Sequence, residues 1–189
     1  MNHLKSIQQK QGIYEQVNRV RAMCRDIYDF AKVTGRMDYN PVEGIQKYLQ
    51  QGKKENMAHV TEQELPALLR AINNYPTIDV RMGLQLLAML FCRPTELRGA
   101  KWEEFDLEQG LWNIPEHRMK KRREHVVPLS TQAVTILKEL QTYQTNSDYL
   151  FPSRSDKNKP KSDTVFIMAL CRMGYEGRQT PHGFSFSNS

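Results

Sequence analysis

Residues 86–108 read LLAMLFCRPTELRGAKWEEFDLE, and this stretch carries the strongest fold information in the chain. It completes an apolar run, MGLQLLAMLF, that is typical of a helix at the centre of a domain. Arg93 follows, and Pro94 suits the first position of another helix. An arginine held between two rigid elements is costly to bury unpaired, so it must meet an acid, a carbonyl oxygen or a ligand phosphate. Pairing with Glu96 is the structural alternative to ligand binding.

Downstream of this stretch, the sequence predicts three short strands and two helices. The segment FDLEQGLWNIP at 105–115 indicates two strands around a Gln-Gly turn, and REHVVPLS at 123–130 indicates a third. Apolar residues at helical spacing then predict helices over 130–143 and from 162 to a stop at Gly174. The predicted fold class is mainly α with a small antiparallel β-sheet, an α+β fold.

Upstream, residues 13–31 predict a long amphipathic helix. Spacings of three and four place on one face Ile13, Val17, Val20, Cys24, Ile27 and Ala31. The rest of the helix carries Arg19, Arg21 and Arg25. The polar, basic stretch QQGKKENMAH at 50–59 is typical of a linker. We therefore expect two domains, 1–54 and 55–189.

The charge balance favours a polyanionic partner. Lys and Arg number 27 against 21 Asp and Glu, which gives a net charge of +6. Five of these cations lie between Arg118 and Arg123, immediately before the third predicted strand. A basic hairpin of this kind can follow a nucleic-acid backbone and bring Lys120 or Lys121 to a phosphate. The alternative is a solvated charge run with no ligand.

Several other classes of protein find no support in the sequence. Three cysteines lie far apart in apolar or helical stretches, which indicates neither disulfides nor a metal knuckle. His117 and His125 are a poor metal pair, and no HExxH, CxxC, P-loop or GxSxG pattern occurs. No window approaches a membrane span or a signal peptide. We expect a cytoplasmic protein without a bound metal.

Taken in order, five segments resemble the catalytic domain of the phage integrases, or tyrosine recombinases. They are the opening stretch, LWNIPEHRMKKRREHVVPLS, YLFPS, ALCRMGYEG and TPHGF. The segment VRAMCRDIYDFAKVTGRMDYNPVEGI similarly resembles the end of the helical core-binding domain of that family. The resemblance implies a core-binding remnant at 1–54 and a catalytic domain at 55–189. Double-stranded DNA is the implied partner, with other integrase protomers on the DNA as a further one.

The resemblance also implies a mechanism and roles for individual residues. In that family a tyrosine attacks a DNA phosphate and forms a 3′-phosphotyrosyl link, without metal or nucleotide cofactor. Arg93 matches the first phosphate-clamping arginine, and Lys120 the general-acid lysine, with Lys121 as the alternative. His182 matches the histidine of the His-x-x-Arg motif. The implied DNA contacts are Lys121, Arg122, Arg123, Arg19, Arg21 and Arg25.

The resemblance breaks off inside its last motif. Position 185 is Ser185 where the family pattern has a second arginine, and every tyrosine of the chain precedes His182. We expect a truncated prophage integrase whose end reflects a frameshift, a premature stop or an artificial boundary. Such a chain should not cleave DNA alone, so its status as an enzyme stays open. The alternatives are a non-catalytic DNA-binding or interfering fragment and a gene remnant.

Overall fold

The computed structural model describes residues 14–49, 58–119, 123–143 and 146–186. The chain divides into two compact units, residues 1–55 and 56–189.

The first unit contains helix α1, Tyr14–Val33, and a 3-10 turn at Ile45–Tyr48. The predicted helix is confirmed, but most of its apolar face is not buried, and Val17 is the one buried residue of α1. Val20 and Ile27 are 50% and 65% exposed. An apolar stripe is buried only where a second element covers it, and the described part of this unit supplies only a short turn.

The second unit is built around one buried helix. Its helices are α2 (Leu65–Asn73), α3 (Ile78–Leu90), α4 (Pro94–Arg98), α5 (Thr131–Tyr143) and α6 (Val165–Arg172). Helix α3 packs against all four of the others. Its buried residues are Val80, Met82, Gly83, Leu84, Leu86 and Leu87. The predicted central helix is therefore confirmed.

Three short strands form an antiparallel sheet in the order β1-β2-β3. They are β1 (Phe105–Asp106), β2 (Leu111–Ile114) and β3 (His125–Pro128). Trp112 pairs with Val127 across β2 and β3, and its ring stacks on Phe105 with centroids 5.2 Å apart. Trp112 and Ile114 are fully buried, because alternate residues of a strand face the same side. The predicted strands and the α+β class are confirmed.

The position of Pro66 at the beginning of α2 explains why a proline is tolerated in a segment with helical spacing. Pro66 lies in the first turn of α2, where a backbone N–H has no partner within the helix and its loss costs little.

Just upstream of α2, the backbone N–H and the hydroxyl of Thr61 both donate to the Glu64 carboxylate, each at 3.0 Å. These bonds and the Arg178 guanidinium hold the pKa of Glu64 below its usual value.

Candidate nucleic-acid interface

Arg93 lies between α3 and α4, and its partner is the one predicted as the structural alternative. Its guanidinium Nη1 is 2.6 Å from Glu96 Oε1, while its backbone N–H donates to Glu96 Oε2 at 3.0 Å. The Glu96 side chain is only 10% exposed, whereas that of Arg93 is 55% exposed. A guanidinium has five N–H donors. Glu96 therefore holds Arg93 in place while much of its side chain faces solvent, where it can meet an anion.

The neighbouring Cys92 is chemically inert. Burial, and secondarily the negative charge of Glu96, raise the pKa of its thiol to about 12. Because a thiol attacks only as the thiolate, Cys92 stays protonated at neutral pH and does not act as a nucleophile beside Arg93.

His182 lies in a 3-10 turn, Pro181–Phe186, that is tied to the beginning of the second unit. The N–H of Thr180 donates to the Ala58 carbonyl oxygen at 2.9 Å. A Cβ atom on Gly183 would lie 2.5 Å from that same oxygen, so only glycine fits beside it. Phe184 is buried, and the turn packs against α3.

The structure brings Arg93 and His182 to one region of the second unit. A cavity of about 240 Å³ is lined by Phe91 and by Phe184. Phe91 precedes Arg93 by two residues, and Phe184 follows His182 by two. Each of these two candidate site residues is therefore two positions from a residue that lines the cavity, although they are 89 positions apart in the sequence.

Arg118 has a structural role that the sequence analysis missed. Its guanidinium contacts the Glu104 carboxylate and donates to the Glu96 carbonyl oxygen at 2.5 Å. The Arg118 and Glu104 side chains are 17% and 5% exposed. Trp112 Nε1 donates to the same carboxylate at 3.0 Å. Arg118 belongs to the basic run of the sequence, but its largely buried side chain is the partner of Glu104, so it leaves that run one cation shorter.

Of the other four cations in the basic run, the structure describes only Arg123. Lys120, Lys121 and Arg122 lie outside the described residues. Arg123 is exposed just before β3. Their assignment to catalysis and DNA contact stays a prediction.

The three arginines of α1 each meet a polar partner within the first unit. Arg19 pairs with Glu15 at 2.9 Å, and Arg21 donates to the Gln46 side chain at 3.4 Å. Arg25 bonds Asp26 at 2.8 Å, and this bond raises the pKa of the Arg25 guanidinium. All three pairs are exposed and hold their cations weakly. Their proposed contact with DNA stays a prediction.

The chain belongs to the phage integrase family, whose profile matches residues 58–186. The integrase of Shigella phage Sf6 is 30% identical over 92% of this chain and 46% of its own length. The prophage integrase IntZ of Escherichia coli is 34% identical over 90% of this chain and 42% of its own length. The chain thus spans less than half the length of these curated relatives.

Solved structures of integrases share the fold. The Tn1549 transposon integrase, in complex with a circular intermediate DNA, aligns with a TM-score of 0.79 at 12% identity and covers 96% of this chain and 68% of that one. A lambda integrase dimer bound to a COC′ core site aligns with a TM-score of 0.70 at 18% identity and covers 96% of this chain and 53% of that one. At these identities the likeness establishes the fold alone.

The described residues include neither a membrane-spanning helix nor a cluster of metal-binding side chains. No helix there is both long and apolar enough to span a membrane. No group of three or more His, Cys, Asp or Glu side chains there is placed to hold a metal ion.

Proposed function

We propose that the chain binds double-stranded DNA and derives from a protein of site-specific recombination and integration. The observation that carries this proposal is Arg93, a half-exposed guanidinium fixed by a buried carboxylate. It follows Phe91 by two residues, and Phe91 lines one cavity together with Phe184 of the His182 turn. A fixed cation of this kind suits a phosphodiester, because charge-assisted hydrogen bonds to phosphate are strong when the donor is already in position. Binding to DNA is also consistent with the cytoplasmic location that the sequence predicts.

Within this proposal each candidate site residue corresponds to a role in the phosphoryl transfer of full-length relatives. Arg93 holds the phosphate at which a strand is cut, and His182 contacts it and handles a proton. Lys120, or Lys121 in its place, protonates the leaving oxygen. Residues 1–54 act as the end of a core-binding domain and 55–189 as part of a catalytic domain. No metal or nucleotide cofactor enters this scheme, and other integrase protomers are further partners on the DNA.

We expect this 189-residue chain to form no covalent adduct with DNA. Ser185 replaces the second charge donor, and loss of one such donor costs on the order of a hundred- to a thousandfold in rate. The measurement is a denaturing gel after incubation with a nicked suicide substrate. A robust protein-DNA adduct would show that the site tolerates Ser185 in place of the second charge donor.

Ser185 thus favours binding without cleavage as the role of this chain. Such a chain could compete with an intact integrase for the same DNA. Titration of this chain into a recombination assay with an intact integrase tests that role, since competition lowers the yield of recombinant DNA.

We expect Arg93→Ala to weaken DNA binding while leaving the fold intact. Loss of one phosphate contact should reduce the slope of log Kobs against log salt concentration by about 0.9. The fold should persist with a moderately lower thermal midpoint, because the buried Glu96 carboxylate loses the half-exposed Arg93 guanidinium but keeps the backbone N–H of residue 93 as a donor. Gel-shift titration over a salt series measures the slope.

Lys138→Ala is the matched control, since Lys138 is exposed on α5 and lies outside the cavity. It removes the same charge and should leave the slope unchanged. An Arg93→Ala variant that unfolds, or that keeps the parent slope, would assign Arg93 to the fold alone. Absence of salt-dependent binding by the unsubstituted chain would overturn the DNA-binding proposal itself.

A further inference from the structure

The turn that carries His182 is buried on both sides of that residue. Pro181, Gly183 and Phe184 are buried, whereas His182 is partly exposed. Phe184 is 3% exposed and belongs to the hydrophobic core of the second unit. The backbone of this turn therefore determines where the His182 side chain meets the surface.

Gln179 joins the turn to residues 58–60, near the beginning of the second unit. Gln179 is only 5% exposed, and its side-chain oxygen Oε1 accepts from the Val60 backbone N–H at 2.9 Å. Its amide Nε2 donates to the Thr180 carbonyl oxygen, also at 2.9 Å. The first of these bonds spans 119 positions of the sequence. The sequence analysis gave Gln179 no role.

The two partners of Gln179 require an amide between them. The Val60 N–H can only donate and the Thr180 carbonyl oxygen can only accept, so the side chain between them must offer one acceptor and one donor. A carboxylate of the same length offers acceptors alone, and an apolar side chain offers neither. Both partners are backbone groups, which are costly to bury without a hydrogen bond.

Further contacts extend from Gln179 to the residue directly after His182. A Cβ atom on Gly183 would lie 2.9 Å from Gln179 Nε2, so the amide lies against the backbone there. The Thr180 hydroxyl accepts from the Gly183 N–H at 3.0 Å and donates to the Ala58 carbonyl oxygen at 3.3 Å. The backbone on both sides of His182 is thus held by one set of hydrogen bonds.

Hydrogen bonds, more than close packing, hold the Gln179 side chain. Gln179 lines the cavity of about 240 Å³ together with His59, Val60 and Phe184. A side chain beside a cavity lacks packing partners on that side. Loss of its two hydrogen bonds should therefore let both the side chain and the turn move.

We infer that Gln179 is a positioning residue for His182, because it holds the His182 turn against the beginning of the second unit. This inference rests on the proposed contact of His182 with a DNA phosphate. A charge-assisted hydrogen bond is strong when the donor is already in position. A displaced turn should therefore lose the phosphate contact although His182 itself is unchanged, whereas a purely structural amide would affect stability alone.

The test is a double-mutant cycle on binding to a short DNA duplex of arbitrary sequence, measured by gel shift. His182→Ala should weaken binding by on the order of tenfold, as expected for one hydrogen bond to a charged group. Gln179→Leu should weaken it by a similar factor, and the double variant should bind no more weakly than His182→Ala. Factors that multiply in the double variant would overturn the inference, because Gln179 would then act independently of His182.

Gln179→Glu separates hydrogen bonding from shape. It keeps the length of the side chain and an acceptor for the Val60 N–H, but it turns a second acceptor toward the Thr180 carbonyl oxygen. Binding should fall as it does in Gln179→Leu. Parent-like binding by Gln179→Glu would overturn the inference, because shape alone would then be enough at this position.

Two controls account for lower stability and for the added charge. Ile114→Val removes a methylene group at a fully buried position of β2 and lowers stability without touching the His182 turn. Gln141→Glu adds the same negative charge at an exposed position of α5. Both should keep the parent affinity. Losses in these controls equal to those of the Gln179 variants would mean a general effect and would overturn the inference.

An NMR measurement without DNA separates the inference from the proposed function. The imidazole signal of His182 should be displaced or broadened in Gln179→Leu but not in Ile114→Val, with the signals of His117 and His125 as internal references. An unchanged His182 signal in Gln179→Leu would overturn the inference. If His182→Ala binds DNA like the parent, the proposed role of His182 fails, and the NMR signal alone decides whether Gln179 positions the turn.

Discussion

Arg118→Ala should destabilise the second unit by about 3 kcal/mol. Arg118 and Glu104 form a largely buried ion pair, and removal of one partner from such a pair costs roughly 3–5 kcal/mol because it leaves an uncompensated buried charge. The expected loss lies at the low end of that range, since Trp112 Nε1 still donates to the Glu104 carboxylate. Urea unfolding followed by tryptophan fluorescence measures the change in unfolding free energy.

Two companion variants make this prediction specific. Arg123→Ala removes an exposed arginine from the same basic run and should change the unfolding free energy by less than about 0.5 kcal/mol. Arg118→Ala/Glu104→Gln removes the stranded charge as well and should be more stable than Arg118→Ala. A loss below about 1 kcal/mol in Arg118→Ala would show that the pair is exposed to water in solution.

The same pair connects stability to the candidate site. Arg118 bonds the Glu96 backbone carbonyl, and the Glu96 side chain holds Arg93. A Cβ atom on Gly99 would lie 3.1 Å from Arg118 Nη2, so the small residue there gives the guanidinium room to reach α4. One buried network thus fixes the helix that presents Arg93 and the chain that leads into the basic run.

Local features of the sequence were enough to predict most elements of the fold. The glycine of the β1-β2 turn has a φ of +66°, which glycine adopts without strain, and the alternation of Trp112 and Ile114 marks the buried side of β2. The face of α1 could not be predicted in the same way. Periodicity shows that a helix has an apolar stripe, but burial depends on which other element covers it.

The candidate site shows the same division between local and distant contacts. The Arg93–Glu96 pair joins residues three apart at the beginning of a helix, so it can be predicted from the sequence. Arg118 meets Glu104 across 14 positions, and its burial depends on the sheet. Two adjoining cavities are lined by residues from 75 to 172, which only the folded chain brings together. The charge runs of the sequence predict neither the Arg118–Glu104 pair nor these cavities.

Gly83→Ala should destabilise the second unit by about 1–2 kcal/mol. A Cβ atom at residue 83 would lie 2.5 Å from Phe166 Cε1, and Phe166 is itself buried at an edge-on contact with Phe151. Overpacking of this kind costs about 1–3 kcal/mol. The greater helix propensity of alanine returns up to about 1 kcal/mol. Urea unfolding measures the net change, and Met89→Ala on the exposed side of α3 is the control.

A second substitution tests whether the clash is the cause. Phe166→Leu shortens the side chain that the new methyl group meets, so Gly83→Ala should cost less in a Phe166→Leu background than in the parent. Equal costs in both backgrounds would contradict the proposed contact. The contact matters beyond stability, because it sets how closely α6 lies against α3. Helix α3 ends three residues before Arg93, so a shift of α3 against α6 would also move the candidate site.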